Sequence, residues 1–158
     1  MIDMIYSVRV LIPFFDSLDA TTPSKQSPYR TIEVFEESTL IDLARTILDA
    51  FEFKEDHFYG FYDNINSPLK STESFLFLER MIDEIPLRRN INECLVRDLF
   101  SNDKTEWLFL FDYENEWNFR LSLLDKKEDK SDIYPKISEA FGTAPKQYEN
   151  YDDYENDY

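Results

Sequence analysis

The order of patterned segments predicts an α+β fold: a mixed, mostly antiparallel sheet packed against one capped amphipathic helix and a short second helix. Three observations carry that prediction. Two strand-like runs precede the first helical pattern, Ser38–Phe53 bears an uninterrupted apolar stripe, and Trp107–Leu124 (WLFLFDYENEWNFRLSLL) reads as a hairpin. Sustained strand–helix alternation of the doubly wound kind is missing.

Ile5–Ile12 alternates, with Tyr6, Val8, Val10 and Ile12 on one side and Ser7 and Arg9 on the other, as a half-buried strand does. Asp16–Pro28 is a polar connection rich in Ser, Thr and Pro, expected to be mobile. Tyr29–Phe35 resumes as a strand. Ser38-Thr39 supplies hydroxyls for unpaired first-turn amides, and Asp42 sits at the positive end of the helix dipole. Leu40, Leu43, Ala44, Ile47, Leu48 and Phe51 then follow the i, i+3, i+4, i+7, i+8, i+11 spacing of a buried face, which defines the helix over 38–53. His57–Tyr62 and Phe75–Leu78 read as short strands, Leu87–Arg89 as extended, and Ile91–Phe100 as a second helix with Leu95 and Leu99 inward. In the hairpin, Trp117, Phe119, Leu121 and Leu123 alternate with Asn118, Arg120 and Ser122. Asp125–Asp132 is expected to be a charged loop, and regularity fades from Tyr134 onward. Residues 1–146 form one domain on this reading, and 147–158 (QYENYDDYENDY) an acidic, tyrosine-repeating tail outside the core.

Composition narrows function. Fourteen Phe, ten Tyr and two Trp supply large buried surfaces, whereas two glycines leave turns to Asn, Asp, Ser and Pro. Thirty-three acids against seventeen bases give a formal net charge of −16, which repels a phosphate backbone and argues against direct nucleic-acid binding. The same charge favours solubility, attraction of a basic partner, or imitation of nucleic acid. A single cysteine, Cys94, excludes an intrachain disulfide and a cysteine-based zinc cluster. No basic leader precedes an apolar stretch and no run is long enough to span a bilayer, so a soluble, cytoplasmic protein without membrane contact is expected.

Three blocks resemble the plasmid pRiA4b ORF-3-like family. They are STLIDLARTILDAFEFKEDHFYGFY (Ser38–Tyr62), VRDLFSNDKTEWLFLFDYENEWNF (Val96–Phe119) and YPKISEAFGTAPKQY (Tyr134–Tyr148). Position by position, His57, Asp112, Trp117, Tyr134, Pro135, Gly142 and Pro145 match the family pattern. Glu114 stands where the family's Gly would be, and Asn115 where its second Asp would be. The resemblance implies an α+β fold and association with mobile elements, in a family whose biochemical role is uncharacterised.

The candidate residues divide by chemistry. His57, the one histidine, is a possible general base or metal ligand, or a group that satisfies backbone polar atoms at the helix–strand junction. Asp112, just before the hairpin turn, is placed to accept backbone N–H bonds or to partner His57. Trp117, with Asp112, Tyr134 and Pro135, forms the structural signature, Trp117 being expected to anchor the sheet on the Leu40–Phe51 helix. Glu149, Asp152, Asp153, Glu155 and Asp157 make the tail a candidate interaction segment. No phosphate loop, Walker lysine, HExxH or GxSxG is present, and no serine sits in the arginine-rich setting of a recombinase. The leading expectation is a non-catalytic protein-interaction module with no cofactor and no metal, offering an acidic surface to a partner with a basic one. A nucleic-acid mimic that inhibits a DNA-binding enzyme is the first alternative. A metal-dependent or acid–base enzyme centred on His57 and Asp112 is the second.

Overall fold

The computed structural model describes residues 3–77, 88–90, 93–130 and 133–148. Its strands are β1 (Asp3–Leu11), β2 (Tyr29–Phe35), β3 (Tyr59–Tyr62), β4 (Ser74–Phe77), β5 (Arg88–Asn90), β6 (Glu106–Phe111), β7 (Trp117–Asp129) and β8 (Lys136–Phe141). They form one eight-stranded sheet of order β5-β4-β3-β6-β7-β1-β2-β8. The β4–β5 pair is parallel and the others are antiparallel. The α-helices among the described residues are α1 (Leu40–Ala50) and α2 (Val96–Leu99), and Pro68–Lys70 forms a single 3-10 turn. This is the α+β class, mixed and mostly antiparallel, that the segment order predicts. Among the described residues no helix is long and apolar enough to cross a membrane.

Burial follows the two periodicities. Leu40, Leu43, Ala44, Ile47, Leu48 and Phe51 are all buried, and they meet Tyr6, Val8, Val10, Ile32, Phe109, Phe111, Phe119 and Leu121 in one apolar cluster. Phe51, Phe53, Phe109 and Phe119 interlock there at ring separations of 5.5–5.6 Å, an aromatic contact pattern that adds to area burial. Intervening residues such as Leu108, Leu110, Asn118 and Arg120 point to the opposite face, away from α1. On that face Tyr62, Leu76 and Leu108 make a second, smaller cluster.

Four expectations are corrected. α2 spans four residues, not Ile91–Phe100, because Cys94 and Leu95 are tied to the start of α1 ahead of it: the Leu40 amide donates to the Cys94 carbonyl and the Val96 amide to that of Ser38. Leu95 accordingly bridges to Thr39 and is only half-buried. The charged stretch Asp125–Asp129 is strand, since β7 runs on past a bulge at Ser7/Val8 and pairs with β1 to its end. There Lys127 reaches Glu33 Oε2 at 2.9 Å, and Lys126 lies 4.8 Å over the Tyr6 ring. Residues 136–141 form β8, an edge strand on β2 whose side chains are largely exposed, so it carries no apolar alternation to read. Finally, the deeply buried tryptophan is Trp107, whose indole N–H donates to the Leu99 carbonyl at the end of α2. Trp117 is half-buried, stands edge-on to Phe53 at 4.8 Å just past the end of α1, and packs at the margin of the cluster that holds the helix stripe.

Scarcity of glycine leaves a specific mark. α1 ends in a Schellman arrangement: the Phe53 amide donates to the Leu48 carbonyl (2.8 Å) and the Glu52 amide to that of Asp49 (3.1 Å). That geometry needs a left-handed residue at Glu52, which has φ +61°, where an L side chain costs about 1–2 kcal/mol. Glu52→Gly is therefore expected to raise stability by about 0.5–1 kcal/mol despite the extra freedom of the unfolded chain. A urea unfolding curve with a higher midpoint than the parent checks this.

Candidate functional site around His57 and Asp112

β6 ends at Phe111, and the chain turns at Asp112 in the left-handed region, φ +64°, returning at Glu116 with φ +51°. The Glu116 amide donates to the Asp112 carbonyl at 2.6 Å. The Asp112 side chain, almost fully buried, closes the turn from inside. Its Oδ1 accepts the Glu114 and Asn115 amides at 3.2 and 3.3 Å, and its Oδ2 accepts the Asn115 side-chain amide at 2.7 Å. The Asp112 amide in turn donates to the Phe58 carbonyl at 3.0 Å, so the turn is tied to the entry of β3. Burial alone would raise this carboxyl's pKa. The Asn115 side-chain and backbone bonds, the nearby His57 ring and the Glu114 amide outweigh it and hold the group below the usual carboxylate range.

His57 stands at the other side of the same carboxylate. Its Nε2 is 3.4 Å from Asp112 Oδ2, 3.5 Å from Asp56 Oδ1 and 3.1 Å from the Tyr148 hydroxyl. The Tyr148 hydroxyl donates to Asp56 Oδ2. Beside it, Gln147 accepts the Lys54 amide at 2.6 Å and donates to the Lys54 carbonyl and to Asp56 Oδ1 at 3.2 and 3.1 Å. The His57 ring also stands edge-on to Phe111, 5.8 Å between centroids. Three stretches distant in sequence (54–57, 111–115 and 147–148) thus converge on one imidazole.

The structure brings His57 and Asp112 together, as the alternative enzyme hypothesis requires, and adds Asp56, Asn115, Gln147 and Tyr148. Nothing periodic marks Gln147 and Tyr148, which the sequence pattern places in the tail. The remaining tail candidates, Glu149, Asp152, Asp153, Glu155 and Asp157, lie outside the described residues. Tyr134 is elsewhere: its hydroxyl donates to Asp129, its ring stands edge-on to Phe35 at 5.5 Å, and it precedes a cis bond to Pro135. It fastens the end of β7 to β8 and does not touch His57's cluster. Among the described residues no three His, Cys, Asp or Glu side chains converge as a metal-binding set. The two departures from the family pattern also find a physical account. Glu114 is not one of the turn's left-handed positions, so no glycine is needed there. Asn115 supplies a donor to Asp112 where a second carboxylate would repel it.

An α+β domain whose hairpin turn is locked by a buried aspartate beside a histidine defines the class of protein. The family model for plasmid pRiA4b ORF-3-like proteins matches residues 20–156, and the chain belongs to that family. The fold is shared with the crystal structure of a protein of unknown function, MM3350, from Methanosarcina mazei Go1. The two superpose with a TM-score of 0.68 at 18% identity, over 87% of this chain and 70% of the other. Among curated proteins, none matches the chain.

The depressed Asp112 carboxyl fixes a pH dependence. Its folded pKa lies below the unfolded value of about 3.9, so its contribution is fully present above that pH and is lost as pH falls through the lower folded value. Asp112→Asn is expected to cost about 1–3 kcal/mol at neutral pH. The difference in melting temperature between variant and parent should be constant above about pH 5 and shrink below about pH 4. A difference independent of pH would show that the carboxylate charge plays no part.

Proposed function

We propose that the chain is a non-catalytic, cytoplasmic protein-binding module, associated with mobile elements, that presents an acidic face to a partner with a basic surface. The observation that carries this reading is a strip of exposed acids, Asp42, Asp49, Glu52, Glu55 and Asp56, along the outer side of α1 and the link that follows it. Arg45, the arginine in that strip, is already neutralised by Glu55 at 3.0 Å and Asp42 at 4.0 Å. Tyr148 donates to Asp56 at the end of the strip. Lys54 also lies in this link, so the face is predominantly acidic, not wholly so. Such a face attracts and orients an oppositely charged partner and loses that advantage in salt. The plasmid-derived family name is what supports the mobile-element association.

A second reading, acid–base chemistry at His57, draws on the 3.4 Å approach of its Nε2 to the buried Asp112 carboxylate. The binding reading is preferred because that same nitrogen also faces Asp56 and Tyr148. Moreover, the clefts bordering the hairpin turn are lined by Asn115–Asn118 and the Ile12–Phe15 segment, not by the imidazole.

Affinity capture from a native lysate of the source organism separates the two. The expected result is a partner retained by the parent chain at low salt, released by about 0.5 M salt, and not retained by the Asp49→Lys/Glu52→Lys double variant. Retention indifferent to both salt and charge reversal, or no enriched partner, would contradict the proposal.

A further inference from the structure

The sheet face opposite α1 carries a groove of about 290 Å³, just below the size range of small-molecule sites, roughly 300–1,000 Å³. Its floor is Leu108 and Leu110 on β6 with Asn118 and Arg120 on β7, and its walls are Phe15 on one side and Ile65 on the other. The floor is firm, because Leu108 packs with Tyr62 and Leu76 in the second apolar cluster, against which Ile65 and Leu110 also rest.

Arg120 makes this groove unusual for the molecule. Among the described residues, Arg9, Arg45 and Arg97 each have a carboxylate within 4.0 Å, whereas Arg120 has none and lies 5.8 Å from the Phe15 ring. In a chain with thirty-three acids, this guanidinium is left with its donors uncommitted. The side-chain amides of Asn66 and Asn118, which also line the groove, make no hydrogen bond among the described residues. An unpaired guanidinium over an apolar floor matches a carboxylate head on an apolar body, since its planar fork donates to both carboxylate oxygens. Glu116 stands on the rim. Its negative charge disfavours a second anionic group at the outer end.

We propose that this groove binds a small amphipathic monocarboxylate, its carboxylate held by Arg120 and its apolar body lying on Leu108, Leu110 and Ile65. The site is separate from the acidic strip on α1 and stands or falls independently of it.

Phenylacetate is a suitable probe for the full-length chain, with binding followed by ligand-observed NMR titration. Binding is expected to be saturable, and weakened at least about tenfold when the carboxylate is replaced by the neutral amide in phenylacetamide. Arg120→Met keeps much of the apolar stem and is expected to cause a loss of the same size with an unchanged melting temperature. Absence of saturable phenylacetate binding, equal binding of the amide, or full binding by a folded Arg120→Met variant would overturn the proposal.

Discussion

One buried carboxylate, Asp112, joins parts of this fold that hydrophobic packing alone would leave loosely related. Its side chain accepts the two amides of its own turn and the Asn115 side chain. Its backbone amide holds Phe58 at the mouth of β3. Its remaining face meets His57. An ionised group so placed is tolerable only because its oxygens are supplied with donors, and each donor comes from a segment that must then keep its place. The hairpin, the β3 entry and the Gln147-Tyr148 segment are set relative to one another through that carboxylate and the imidazole beside it.

The rest of the architecture is a division of labour between two sheet faces. One face holds α1 and the interlocked phenylalanines, which supply most of the apolar burial. Among the described residues the other carries the small Tyr62–Leu76–Leu108 cluster, with grooves between the Phe14-Phe15 segment and the hairpin. Charge is divided in the same way. A run of exposed acids lies along α1 and the 52–56 link, while Arg120 sits on the opposite face and forms no ion pair among the described residues. In a chain of net charge −16, the two faces therefore differ in local charge.

What was legible in the sequence follows from where the physics is local. The stripe of α1, its Thr39 cap and the alternation of β1, β2 and the hairpin could be read directly, because each buries one face at a fixed period. β8 could not, because an edge strand with both faces near solvent needs no apolar alternation. The far half of β7 was hidden for a related reason: Lys126, Lys127 and Glu128 pair with β1 through the backbone, and the two lysines place their charges sideways, on the Tyr6 ring and Glu33. At the site, His57 and Asp112 stood out by residue type, but their contact is tertiary. Gln147 and Tyr148 carry no local pattern at all. The shortage of glycine was visible, and its consequence, acids and amides in left-handed positions at Glu52, Asn102, Asp103, Asp112 and Glu116, required the backbone.

Amide hydrogen exchange on Asp112→Ala tests the unifying role of this carboxylate most directly. The account predicts lost protection at Glu114 and Asn115, whose donors go to the side chain. It also predicts lost protection at Lys54, whose amide donates to Gln147 on the far side of His57. Loss confined to the turn, with Lys54 as protected as in the parent, would show that the hairpin and the C-terminal segment are held independently, and would contradict it.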